Sequence, residues 1–171
     1  MSSQAGWQDF DFGRPDRTKG GVGLCGGCRR SRICRLGVLT ERLDEDGVLR
    51  CNVVCGEGHE GGPGVAHGGW TAAVLDEILG HVAPLHGVLA VTGTLSVRYL
   101  KPTPTGRPLT GRATVDRRDG VKWHISGALS LASSGVDLAV ASGIWIERPP
   151  QDHFVAFERW LHEQDRRPGD S

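Results

Sequence analysis

Residues 69–83, GWTAAVLDEILGHVA, constrain the fold of this chain more than any other stretch. The run is rich in alanine and leucine and apolar on most faces, the pattern of a helix that is buried rather than laid on a surface. Gly62-Pro63-Gly64 marks a loop before it, and Pro84 is expected to end it. A helix of this kind needs cover on several sides, and the rest of the chain supplies strands. Val121, Trp123, Ile125, Leu129 and Leu131 alternate with Lys122, His124, Ser126 and Ser130. That is the period of a half-buried strand. Val136, Leu138, Val140, Ile144 and Ile146 repeat it after the turn Ser133-Ser134-Gly135, and Leu95, Val97 and Tyr99 alternate with polar residues before Pro102 and Pro104. A strand over about 108–116 runs into Asp119-Gly120, and an earlier pair, about 36–43 and 48–55, meets at Asp46-Gly47; both dipeptides are hairpin turns. The order is a strand pair, one buried helix, then four strands. It predicts an α+β fold in which a curled, mainly antiparallel sheet wraps one central helix.

The 171 residues suit one compact domain. Residues 1–20 lack periodicity and are expected to form a flexible N-terminal arm, with the domain over 21–150 and a C-terminal helix and tail over 151–171. In that last segment Phe154, Phe157, Trp160 and Leu161 fall at helical spacing over 152–164. Lysine plus arginine number 20 and aspartate plus glutamate 20, so nucleic-acid binding by bulk charge is not expected. No apolar stretch reaches the roughly 18 residues of a membrane span. The opening MSSQAGWQDFDFGRPDR has no apolar signal core, so a cytoplasmic location is expected. Glycine is high, at 26 residues, but is not periodic enough for collagen.

Asp76 and Glu77 stand between Leu75 and Ile78 in the apolar helix. A carboxylate there costs several kcal/mol unless it is paired, hydrogen-bonded or open to a cleft. Neighbouring helical residues diverge by about 100°, so at most one of the two faces a given cleft. Both could also lie at the helix's wet edge, a structural reading of about equal weight for an isolated pair. Before the helix stands His67-Gly68-Gly69. The first amides of a helix have no internal partner and carry the positive end of the dipole, so they suit a developing oxyanion. His67 taken alone reads as a loop or capping residue. Gly69 and Asp76 share a face but stand about 10 Å apart along the axis. One carbonyl cannot touch both, so a site that uses both takes the amide from one chain and the carboxylate from a twofold-related chain.

The run Gly61-Gly62-Pro63-Gly64-Val65-Ala66-His67-Gly68-Gly69, then Leu75-Asp76-Glu77 and Gly80, and later Arg98-Tyr99-Leu100-Lys101-Pro102, resembles the phenylacetate-type (PaaI-like) branch of the hotdog-fold acyl-CoA thioesterases. The likeness covers roughly residues 24–147. It implies a hotdog fold, a homodimer or dimer of dimers, and hydrolysis of an acyl-CoA thioester without cofactor, nucleic acid or membrane. It further implies Asp76 as catalytic base or nucleophile, the Gly68 amide as the carbonyl-polarising donor after His67, and Thr92 as the hydroxyl that places water. Gly69, Glu77, Arg98 and Lys101 are expected beside the substrate. Family members often carry asparagine or glutamine six or seven residues before the histidine; this chain has Glu60 and Gly61, and Glu60 is the expected substitute. Glu77 is the acting carboxylate if the helix is rotated.

Cys25-Gly26-Gly27-Cys28, Cys34, Cys51 and Cys55 fit no standard zinc spacing, and buried thiols without metal are expected. Arg29, Arg30, Arg32 and Arg35 read as a solvated face or as contacts to CoA phosphates. His59, His81, His86 and His124 have no ligand spacing and are unassigned, and Trp70 is placed to narrow an acyl tunnel. Two other functions remain open from the residues. One is a non-hydrolytic acyl-CoA-binding module, because of Glu60 and Gly61; the other is a hotdog dehydratase or hydratase, because His67 and Asp76 would mimic its acid and base.

Overall fold

The computed structural model describes residues 16–165. Eight strands and three helices follow one another: β1 (Val38–Leu43), β2 (Leu49–Val54), β3 (Glu60–Gly62), β4 (Val65–Ala66), α1 (Gly68–Gly80), α2 (Val82–Leu85), β5 (Ala90–Tyr99), β6 (Pro108–Asp119), β7 (Lys122–Leu131), β8 (Asp137–Glu147) and α3 (Pro150–Asp165). Six strands form one sheet in the order β1-β2-β6-β7-β8-β5, and every pairing is antiparallel. The two predicted hairpins sit at Gly47 and Gly120, both with positive φ, where a side chain would be strained.

Helix α1 lies against this sheet because its apolar residues recur in pairs. Trp70, Thr71, Val74, Leu75, Ile78 and Leu79 are buried, on one broad face. They meet Leu49, Val53, Leu109, Trp123, Ile125, Leu129 and Trp145 from the sheet. Each such side chain contributes about 1.5–3 kcal/mol when fully removed from water. Burial is less complete than the apolar sequence implies: Ala72, Ala73, Asp76, Glu77 and Gly80 are only half-buried. The helix stops at Gly80 rather than at Ala83, and Pro84 lies inside the one-turn α2 that follows. Proline is tolerated there because first-turn amides have no helical acceptor.

Two glycines let α1 approach closely. A Cβ at Gly111 of β6 would stand 2.5 Å from Cys51 Sγ and 2.6 Å from Ile78 Cδ1. At Gly127 of β7 it would stand 2.3 Å from the Arg112 carbonyl oxygen and 2.7 Å from Leu79 Cδ1. The helix thus seats Ile78 and Leu79 where the sheet has no side chains.

Of the expected N-terminal arm, residues 16–20 belong to the fold, and residues 1–15 lie outside the described residues. The Glu41 amide donates to the Gly20 carbonyl at 3.0 Å, Arg17 bridges to Gly23, and Val22 and Leu24 enter the core. At the other end α3 forms as expected, but none of its residues is buried; Phe157, Trp160 and Leu161 are exposed. The short β3–β4 hairpin is not predicted by the sequence, because two- and three-residue strands leave no periodicity.

Adding one methyl group at Gly127 forces either a strand or Leu79 to move. The Gly127→Ala variant is expected to lose about 1–3 kcal/mol of stability. A urea denaturation midpoint equal to that of the wild-type protein would contradict this account of helix seating.

Candidate active site

The loop before α1 is built by close backbone approaches. The Glu60 carboxylate accepts the Gly64 amide proton at 2.5 Å and closes the β3–β4 turn. Gly61 passes His67 so closely that a Cβ there would stand 2.8 Å from the His67 Cα. Residue 61 therefore carries no side chain in this geometry, and Glu60 is tied to its own loop. The His67 amide donates to the His59 carbonyl at 2.8 Å, which delivers the chain to the helix start.

His67 caps α1. Its Nδ1 accepts the Gly69 amide proton at 2.9 Å, so Nδ1 carries no proton and Nε2 is left free. This is the capping role that the residue suggests in isolation. It also explains Gly69, where a Cβ would stand 2.9 Å from that ring nitrogen. Gly68, the first helical residue, has no helical acceptor for its amide, because no turn precedes it. It is exposed, and its carbonyl accepts the Tyr99 hydroxyl at 2.9 Å. Tyr99 thus holds the first turn in place. The strand-end motif alone does not announce this role: the contact joins positions 31 apart, and nothing local signals it.

The two acids of α1 diverge as helical geometry requires. Asp76 Oδ1 accepts the Thr92 hydroxyl at 2.9 Å, a bond from α1 to the start of β5. Glu77 turns to His81 instead, with Oε1 at 3.2 Å from Nε2, while His81 Nδ1 meets Glu41 Oε2 of β1 at 2.5 Å. Arg17 completes this network, 3.5 Å from Glu41 Oε1. Burial alone would lower the His81 pKa, but hydrogen bonds to Glu41 and Glu77, reinforced by their charges, push it up to about 10. Glu77 is therefore engaged in structural support, and Asp76 is the acid that shares a bond with Thr92.

Strand β5 and α1 run antiparallel, so Thr92 meets the later part of the helix and Tyr99 its start. Arg98 and Lys101 are exposed, and among the described residues no ion pair joins either to Asp76. Trp70 is buried, with its indole nitrogen unpartnered, near the His59 ring. Among the described residues no group of three or more histidine, cysteine or acidic side chains is arranged to hold a metal. No helix among them is long and apolar enough to cross a membrane.

A family model for the thioesterase superfamily matches residues 63–129, the span from the loop before α1 to the end of the β7 core. Among solved structures, a thioesterase superfamily protein is 32% identical, with a TM-score of 0.60; the match covers 65% of this chain and 56% of that one. The chain thus spans little more than half of that protein's length. The Escherichia coli PaaI protein from the phenylacetic acid degradation operon is 18% identical over 70% of this chain and 87% of that one, with a TM-score of 0.59. A hypothetical thioesterase from Streptococcus pneumoniae, solved with coenzyme A, is 20% identical over 63% of this chain and 84% of that one, with a TM-score of 0.58. The same Streptococcus protein has also been solved as an aspartate-to-alanine and as a threonine-to-alanine variant.

The His81 network makes a pH-dependent contribution to stability. Because the folded pKa lies above the unfolded value of about 6.5, the contribution is full below about pH 6.5 and is lost as pH rises through about 10. Urea midpoints of the wild-type protein should fall over that window relative to His81→Gln; parallel profiles for the two proteins would contradict the assignment.

The sheet order, the central helix and the match over residues 63–129 agree with the resemblance read from the residues: the chain has the hotdog fold, and its central span is similar to the thioesterase superfamily.

Proposed function

We propose that this protein is a cytoplasmic, PaaI-like acyl-CoA thioesterase that works as a homodimer or a dimer of dimers and needs no cofactor. The observation that carries the reading is the 2.9 Å bond from Thr92 to Asp76, on the face of α1 left half-covered. The threonine hydroxyl fixes one carboxylate oxygen and leaves the other for chemistry. In the Streptococcus thioesterase the substituted aspartate and threonine are sixteen positions apart, the spacing of Asp76 and Thr92 here.

Asp76 either takes a proton from the attacking water or attacks the thioester carbonyl itself to give a mixed anhydride that water then opens. Both routes place negative charge on the carbonyl oxygen. The Gly68 amide, at the positive end of α1, is the donor for it, in a turn whose Gly68 carbonyl accepts the Tyr99 hydroxyl. Coenzyme A leaves as a thiolate, which asks for no strong general acid. Glu60 and His67 serve this site through the loop and the cap, by keeping the Gly68 amide in position. Gly69, without a side chain, lets the substrate approach the backbone at the helix start, and Arg98 and Lys101 offer exposed charge to the CoA phosphates.

Within one chain the Gly68 amide and Asp76 are separated by about 12 Å along the helix. One carbonyl cannot reach both, so each site draws Gly68 from one subunit and Asp76 from its partner. The free edge of β5, ten residues long and last in the sheet, provides a pairing surface beside both residues.

The direct test is thiol release from a panel of acyl-CoAs. Asp76→Asn should lower kcat at least 10²-fold while circular dichroism and oligomer size are unchanged. Wild-type turnover in that variant would move the role to Glu77. Absence of thiol release by the wild-type protein, with CoA thioesters still bound, would favour the non-hydrolytic binder. Hydration of enoyl-CoA would favour the hydratase.

A further inference from the structure

The segment 16–37 ahead of β1 carries chemistry that thioester hydrolysis does not use. Cys25 and Cys28 flank Gly26-Gly27 in a tight turn, with the Cys28 amide donating to the Cys25 carbonyl at 3.0 Å and the Arg29 amide to the same oxygen at 3.2 Å. A turn of this kind brings the first and fourth Cα atoms within about 7 Å, close to the range that a disulfide spans. Cys28 Sγ accepts the Arg35 amide proton at 3.4 Å, which fixes the second thiol against the turn.

The two thiols differ in access. Cys25 is exposed and Cys28 is buried, as are Cys34, Cys51 and Cys55. Charge around Cys25 is divided. A Cβ placed on Gly27 would stand 2.5 Å from an Arg35 guanidinium nitrogen and 3.9 Å from Cys25 Sγ, so the cation and the thiol share the space beside Gly27. Burial and the Glu77 charge act the other way and keep Cys25 a thiol above its ordinary range. Exchange at Cys25 therefore runs through a small thiolate fraction and is slow.

We infer that Cys25 and Cys28 form a redox-modification site, in which the exposed thiol is attacked first and the buried thiol resolves it into an intraturn disulfide. The oxidant is a low-molecular-weight disulfide. Cys25, as thiolate, displaces one thiolate from it and forms a mixed disulfide; Cys28, losing its proton to solvent, then attacks Cys25 Sγ and displaces the second thiolate. Two electrons pass from the protein to the small disulfide, which leaves as two thiols, and the protein loses two hydrogens.

The probe is glutathione disulfide added to the reduced full-length protein without oxygen. Of five free thiols, three should remain, and peptide mapping should join Cys25 to Cys28. Cys28→Ser should stop at a single glutathione adduct on Cys25, and Cys25→Ser should take up none. Cys28→Ala repeats the trapping if the serine variant folds poorly, and the wild-type map stands without either. Five thiols persisting at excess oxidant, or a map joining Cys28 to Cys34, would overturn the assignment.

Discussion

The clamp between β5 and α1 is the interaction on which the rest of the site depends. Thr92 holds Asp76 and Tyr99 holds the Gly68 carbonyl, so one edge strand fixes a charged group at mid-helix and a free amide at the helix start. Each hydrogen bond is worth only about 1 kcal/mol. Their weight lies in position: together they set the rotation of α1 about its axis. Rotation by about 100° would present Glu77 in place of Asp76.

Close packing sets the depth of that helix. Gly111 and Gly127 leave room for Ile78 and Leu79, so α1 sinks between β6 and β7 rather than resting on a ridge of side chains. At its C-terminal end the Glu77–His81–Glu41–Arg17 network ties α1 to β1 and to the segment ahead of it. A partly buried charged network of this kind, centred on Glu41 and His81, adds little net stability, but losing one member strands the others. It commits Glu77 to structure, while Asp76 keeps the bond to Thr92.

Much of this was legible in the residues. Period-two alternation and the Asp-Gly turns identify the main strands, and the apolar run identifies the helix they cover. His67 reads in isolation as a cap, which it is. Which of Asp76 and Glu77 turns toward β5 was not legible from the helix, because both neighbours look alike in an apolar run. It is decided by Thr92 and His81, of which only His81, four positions from Glu77, has a local signature. Glu41, forty positions from His81, and Tyr99, thirty-one from Gly68, act through contacts that exist only once the sheet has closed. The stop at Gly80 was hidden for another reason: the apolar pattern continues through α2, which begins at Val82.

The central claim is that each site is shared, and subunit complementation tests it most directly. Asp76→Ala and Gly68→Val are each expected to be inactive, and the two are mixed under conditions of verified subunit exchange. About half of the dimers become mixed, and each then has one site with both groups intact, so activity should return to roughly a quarter of wild type per total site. No recovery after exchange would mean that amide and carboxylate act within one chain, which the 12 Å helical separation forbids in this account.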